Sequence, residues 1–84
     1  MFCVYILQSI KNGKLYIGHT ENLQDRFTDH NNGYSKYTQS GIPWKIVHVE
    51  EFDNRAEAME REREVKRMKS RKYILKLIQK SQRK

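Results

Sequence analysis

The chain has 84 residues, 37 % hydrophobic and 32 % charged, and its 17 lysines and arginines outnumber 10 acidic residues to give a net charge of +7. A chain this short buries a modest core and is expected to form one small domain, residues 1–84, while its one cysteine excludes an intramolecular disulfide. No apolar run reaches membrane-spanning length, and Phe2–Leu7 lacks the flanks of a secretory signal. No membrane partner is therefore expected, and the expected compartment is the cytoplasm.

The first element is an apolar strand, Phe2–Leu7, in which Cys3 reads as a small buried hydrophobe rather than a nucleophile. Lys14–Gly18 is a second strand, and Asn12-Gly13 between them is a strong hairpin signal. With a two-residue turn there, odd positions of the first strand share a sheet face with even positions of the second. Tyr5 and Tyr16 then occupy one face, and Val4, Ile6, Leu15 and Ile17 occupy the other. Gly18 leaves room for a close approach by backbone or substrate.

Thr20 or Asn22 can cap a helix that runs to about His30, with Leu23 and Phe27 as its apolar stripe and Arg26 and His30 as an adjacent stripe. Residues 31–41 are polar and punctuated by glycine, which predicts a long loop. Within it, Asn32, Lys36, Tyr37 and Thr38 suit phosphate contacts and aromatic stacking. Trp44–Glu50 is a third strand with period-2 apolar placement, and His48 within it is expected to be structural. Asp53 or Asn54 caps a helix over about Arg55–Met68, and Ser70 caps a last one whose stripe is Ile74, Leu77 and Ile78. The order β-β-α-β-α-α predicts an α+β fold, a small three-stranded antiparallel sheet flanked by helices.

Charge is unevenly distributed. Residues 65–84 carry nine basic groups and no acid, for a net +9, whereas residues 1–64 sum to −2. Lys66, Lys69 and Arg71, with the basic tail at about 79–84, are natural contacts for a polyanion, because each neutralised phosphate releases counterions. A solvated helix face would explain the same run.

Within the long helix over about Arg55–Met68, Glu62 lies four residues after Ala58 and three before Val65, on the stripe expected to face the core. A carboxylate there costs free energy unless it is paired or binds a metal, and Lys66 at i+4 is an ordinary partner. Three histidines and one cysteine show no zinc-like spacing.

Several ordered blocks together resemble the GIY-YIG nuclease family: Tyr16-Ile17-Gly18, a degenerate Cys3-Val4-Tyr5, Thr20 through Arg26 followed by His30 and Asn31, and Ala58 through Lys66. The match spans about residues 2–78. The resemblance implies a metal-dependent endonuclease that hydrolyses backbone phosphodiesters, DNA being favoured over RNA, with one Mg²⁺ or Mn²⁺ ion held by Glu62; Glu60 is the fallback ligand. It implies Tyr16 as general base toward water, Arg26 as a fork on the scissile phosphate, Tyr5 as an orienting phenol, and His30 as a partner positioning phosphate or tyrosine. An ordinary tyrosine titrates near about 10, so that base needs a nearby cation. His19 is a candidate phosphate contact, joining Lys36, Lys66, Lys69 and Arg71 in nucleic-acid binding. So few base-reading groups imply weak, salt-sensitive binding without sequence specificity. The competing readings are a non-catalytic DNA- or RNA-binding module that uses the basic C-terminal helices, and a protein-interaction domain that docks an acidic partner.

Overall fold

Alternation along the first strand creates two buried faces on one sheet. The computed structural model describes residues 1–68 and 70–82, so the expectations for Lys69 and for the last two residues of the basic tail fall outside the described residues. Strands β1 (Phe2–Ser9), β2 (Leu15–Thr20) and β3 (Trp44–Phe52) form an antiparallel sheet in the order β2-β1-β3, leaving one edge of β2 open. Even residues of β1 face the helices α2 (Arg55–Met68) and α3 (Arg71–Gln82). Ile6, Val47, Val65, Ile74 and Ile78 interlock there, with Leu15, Ile17, Tyr73 and Leu77 around them. Odd residues face helix α1 (Leu23–Asn31) and the segment after it, where Cys3, Tyr5, Leu7 and Trp44 pack with Tyr16, Leu23, Phe27, Ile42 and Ile46. The architecture is α+β.

The hairpin departs from the expected two-residue turn. Its strands close where Ser9 N donates to Lys14 O at 2.9 Å, so the loop is Ile10–Gly13, with Gly13 at φ 77°. Ser9 explains the longer loop: its Oγ accepts from Lys11 N and Asn12 N, each at 3.1 Å, and donates to Gly41 O at 2.6 Å. Two extra residues do not change parity, so Leu7 lies opposite Tyr16 and Tyr5 opposite Gly18, and the expected faces survive.

Residues 31–41 are not the uninterrupted loop expected, since Lys36–Gly41 is a 3₁₀ helix. Hydrogen bonds rather than apolar periodicity hold it. Gln39 Nε2 donates to Gly33 O at 2.7 Å, Trp44 Nε1 donates to Thr38 O at 2.8 Å, and Thr38 itself is fully buried. The third strand runs two residues beyond Glu50, and its period-2 pattern breaks at a bulge. Ile6 pairs with His48 and Leu7 with Ile46, so Val47 is the extra residue.

Helix α2 has the expected bounds. Its cap is Asn54 rather than Asp53, with Oδ1 accepting from Glu57 N at 2.9 Å and Nδ2 donating to Glu57 Oε1 at 2.8 Å. Arg61 ties α2 to β3 by a two-pronged contact with Glu50, at 2.8 and 3.1 Å, and His48 bonds Glu50 and Ser81, a structural role. Ser70 caps α3. Among the described residues no helix is long and apolar enough to cross a membrane.

Candidate active site

The odd face of β1 is a packed layer in which nearly every polar atom has a chemical partner. Tyr5 is 1 % exposed and His30 and Thr38 are 0 % exposed, yet no buried side-chain nitrogen or oxygen among the described residues lacks a hydrogen bond. Tyr5 Oη lies 3.0 Å from His30 Nε2, and His30 Nδ1 lies 2.8 Å from Thr38 Oγ1. Thr38 gives its one hydroxyl proton to Ser35 O at 3.2 Å, so toward His30 it accepts. Nδ1 therefore carries the imidazole proton. Burial, reinforced by the Arg26 charge, pushes the His30 pKa down and favours the neutral ring, whose Nε2 accepts from the Tyr5 hydroxyl.

Tyr16 stands against this pair, its ring centroid 4.8 Å from that of His30 and 6.2 Å from that of Tyr5. Unlike Tyr5 it is only half-buried, because β2 is the open edge of the sheet. Gly18 makes the packing possible: a Cβ there would sit 2.7 Å from Tyr5 Oη and 3.2 Å from Tyr16 Cε2. The close approach expected at this glycine is thus made by the two phenols. Burial pushes the Tyr5 pKa up to about 12, and the Tyr16 phenol adds to the rise, so Tyr5 is held protonated at neutral pH.

Arg26 reaches this layer from the middle of α1. Burial opposes its charge, but the neighbouring Tyr5 and Tyr16 phenols outweigh burial and raise its pKa. None of the ion pairs among the described residues involves Arg26, so Glu21, Asp25 and Asp29 leave its guanidinium uncommitted.

Glu62 comes to the same strand from the other side. It is not in the aliphatic interior with Ala58 and Val65 but at its margin, its side chain 18 % exposed. Oε1 meets His19 Nδ1 at 2.6 Å and Oε2 meets Lys66 Nζ at 2.7 Å. Burial would raise its pKa, but Lys66 and then His19 outweigh burial and hold the carboxyl below its ordinary range. Glu62 and His19 lie at the β2 edge, and the Glu62 charge adds the smallest contribution to the rise of the Tyr5 pKa. Two open clefts meet there at Lys66. One of about 560 Å³ is lined by Leu15, Tyr16, Ile17, Tyr37 and Lys66, and one of about 230 Å³ by His19, Met59, Glu62, Arg63 and Lys66.

The structure therefore brings Tyr5, Tyr16, Arg26 and His30 into one cluster, and His19, Glu62 and Lys66 into a second one beside it. Lys36 is exposed next to Tyr37. Arg71 lies apart at the hairpin end, donating from Nη2 to Gly13 O at 3.1 Å. Thr38, read from the sequence as a phosphate contact, is buried behind His30 instead; the polar loop gave no signal of this. Cys3 is buried, and burial followed by the Glu51 charge raises its thiol pKa, which fits packing rather than nucleophilicity.

Among the described residues no group of three or more His, Cys, Asp or Glu side chains converges on a point that could hold a metal ion. The donor set is one hard carboxylate, Glu62, beside an open cleft. Such a set fits magnesium, which keeps most of its waters and takes one or two carboxylates plus substrate phosphate, and does not fit zinc.

Comparison with known proteins shows the family of the chain. The model of the GIY-YIG catalytic domain matches residues 1–74. A UPF0213 protein of Staphylococcus saprophyticus is 42 % identical over 76 residues, covering 89 % of this chain and 90 % of the relative. One from Clostridium perfringens is 45 % identical over 76 residues, covering 89 % and 80 %. The solution NMR structure of a UPF0213 protein from Bacillus halodurans superimposes with a TM-score of 0.59 at 36 % identity, covering 94 % of this chain and 84 % of that one.

Proposed function

Because this chain belongs to the GIY-YIG catalytic domain family, we propose that it is a metal-dependent endonuclease that hydrolyses DNA phosphodiesters with weak sequence specificity. The observation that carries this reading is the Arg26 guanidinium, free of carboxylate partners, beside both phenols, one of which, Tyr16, lines an open cleft that shares Lys66 with the cleft at Glu62. A planar cation free of carboxylates is available to a phosphate, whose oxygens match its fork and whose charge grows as the pentacovalent transition state forms.

Tyr16 is the half-buried phenol at the cleft and takes the proton of the attacking water. Arg26 is the cation adjacent to that phenol. Tyr5, buried and held protonated, does not meet solvent. It donates to His30 and keeps the imidazole and the neighbouring phenol in place, so it is a positioning residue. Glu62 would hold the divalent ion, whose contribution when bound is charge stabilisation at the leaving 3′ oxygen. His19 and Lys66 keep the Glu62 carboxylate ionised and aimed at the β2 edge. The surplus of basic groups supports DNA binding through the backbone, with affinity that falls as salt rises.

A non-catalytic nucleic-acid-binding module is the second reading. It draws on the fact that both Glu62 oxygens already have basic partners. Labelled branched, single-stranded and duplex DNA incubated with Mg²⁺ or Mn²⁺ separates the two. The nuclease reading expects cleavage that disappears with chelator, in Glu62→Ala and in Arg26→Ala. Binding without cleavage under every metal condition would establish the second reading instead.

A further inference from the structure

Tyr37 is 90 % exposed, the most exposed of the large hydrophobic side chains, and its ring borders the larger cleft. The backbone beneath it is nevertheless fixed on both sides. Thr38, the next residue, is fully buried, bonds His30, and accepts from Trp44 Nε1 at 2.8 Å. Ser35 is buried, Gln39 is tied to Gly33, and Gly41 O accepts from Ser9. A rigid pedestal carrying a bare aromatic ring is preorganised for contact, since little freedom is lost when something stacks on it.

The lining of the cleft narrows the chemistry. Leu15 and Ile17 contribute apolar surface, Tyr16 and Tyr37 contribute rings, and Lys66 is the lone cation among the five residues. A groove that tracked phosphates would be lined by several cations, whereas an apolar floor with aromatic walls suits a flat heterocycle. In duplex DNA each base is stacked on both faces and cannot reach such a ring without leaving the helix.

We infer that the cleft between Tyr16 and Tyr37 receives an unpaired nucleobase beside the scissile phosphate, with Tyr37 as the stacking platform. This deepens the nuclease reading, on which it rests for the identity of the ligand. Selection of unpaired nucleotides follows, as single strands, flaps or frayed ends. Because Tyr37 adjoins Thr38, the residue that orients His30, base engagement also bears on the backbone that sets the imidazole.

The test is binding rather than cleavage. A short single-stranded oligonucleotide containing 2-aminopurine is titrated in chelator with wild type, Tyr37→Ala and Tyr37→Phe, beside the same strand with an abasic position and a duplex of equal length. Tyr37→Ala is expected to weaken single-strand binding about 10-fold and abolish the 2-aminopurine quenching. Tyr37→Phe should keep both, and duplex affinity should change less than about 2-fold. Unchanged single-strand affinity in Tyr37→Ala would overturn the inference, as would an equal loss on duplex or on the abasic strand. The readout needs no catalysis: a protein that never cleaves but shows the Tyr37 effect would retire the nuclease and leave the base site standing.

Discussion

The two faces of the sheet are equally dry but held by different forces. On the helix-covered face, Ile6 and Val65 are 0 % and 1 % exposed and touch other hydrocarbon, so cohesion there is area and shape. On the opposite face Tyr5, His30 and Thr38 are buried to the same degree, yet each is placed by a directed hydrogen bond. A hydrocarbon layer accepts volume-conserving replacement and fails by cavity formation. A hydrogen-bonded layer fails when one partner is removed and another is left unpaired. Strand β1 belongs to both layers, so the stability of one sets the geometry of the other.

The sharpest way to break that division is to exchange the expected phenotypes. Ile6→Ala should cost about 2–5 kcal/mol in urea unfolding, a large part of the roughly 5–15 kcal/mol typical of a whole domain. Activity per folded molecule should persist. Arg26→Ala should do the reverse, lowering phosphodiester cleavage about 100- to 1,000-fold with little movement of the unfolding midpoint. An Arg26→Ala protein that unfolds as readily as Ile6→Ala would mean that the tyrosine face is chiefly structural.

Acid and alkali should separate the faces next, since among these two layers only the polar one titrates through its interior. The Tyr5 pKa is pushed up to about 12, against about 10 for an unfolded tyrosine. Its contribution to stability is therefore fully present below pH about 10 and lost as pH rises toward about 12. His30 has a depressed folded pKa, so its contribution is present above the unfolded value of about 6.5 and declines as pH falls below it. Urea midpoints measured across pH should show both declines, and Tyr5→Phe should remove the alkaline one. A Tyr5 phenolate absorbance appearing near pH 10 would show that the ring is not sealed as described.

Gly18→Ala probes the seam between the phenols. The new methyl would press on the Tyr5 ring, 2.7 Å from Oη and 2.9 Å from Cζ. Overpacking of this kind costs about 1–3 kcal/mol. Because the strain falls on the Tyr5–His30 contact, cleavage should drop further than the folded fraction does, which a comparison of circular dichroism with specific activity would show.

How much of this could be read from the chain alone depended on whether the signal was local. Strand alternation placed Tyr5 with Tyr16 correctly even though the turn was longer than expected, because face assignment depends on parity and not on loop length. Helices α2 and α3 announced themselves through capping residues and apolar spacing. The 3₁₀ helix did not, since contacts with Trp44, Gly33 and His30 hold a segment that reads locally as polar loop. The same limit hid the role of Thr38 and the seating of Glu62 against His19, which lies 43 positions away. Tyr5, Tyr16, Arg26, His30 and Glu62 stood out through motif resemblance, whereas the hydrogen bond that joins Tyr5 to His30 required the third dimension.

The smallest expected effect lies on the aliphatic side, where it isolates what local structure contributes without touching the chemistry. Asn54 accepts from Glu57 N and donates to the Glu57 carboxylate, a reciprocal cap at the exposed start of α2. Removing it in Asn54→Ala should cost about 1 kcal/mol. Glu62 sits two turns further along the same helix, anchored by His19 and Lys66, and Val65 beyond it is locked in the core. Fraying of the first turn should therefore stop short of the carboxylate. Amide exchange should quicken at residues 55–58 and stay slow at residues 62–66, with cleavage unchanged. If cleavage fell together with the cap, α2 would be moving as one rigid unit, and the division between a packing face and a chemical face would not extend to the helix that serves both.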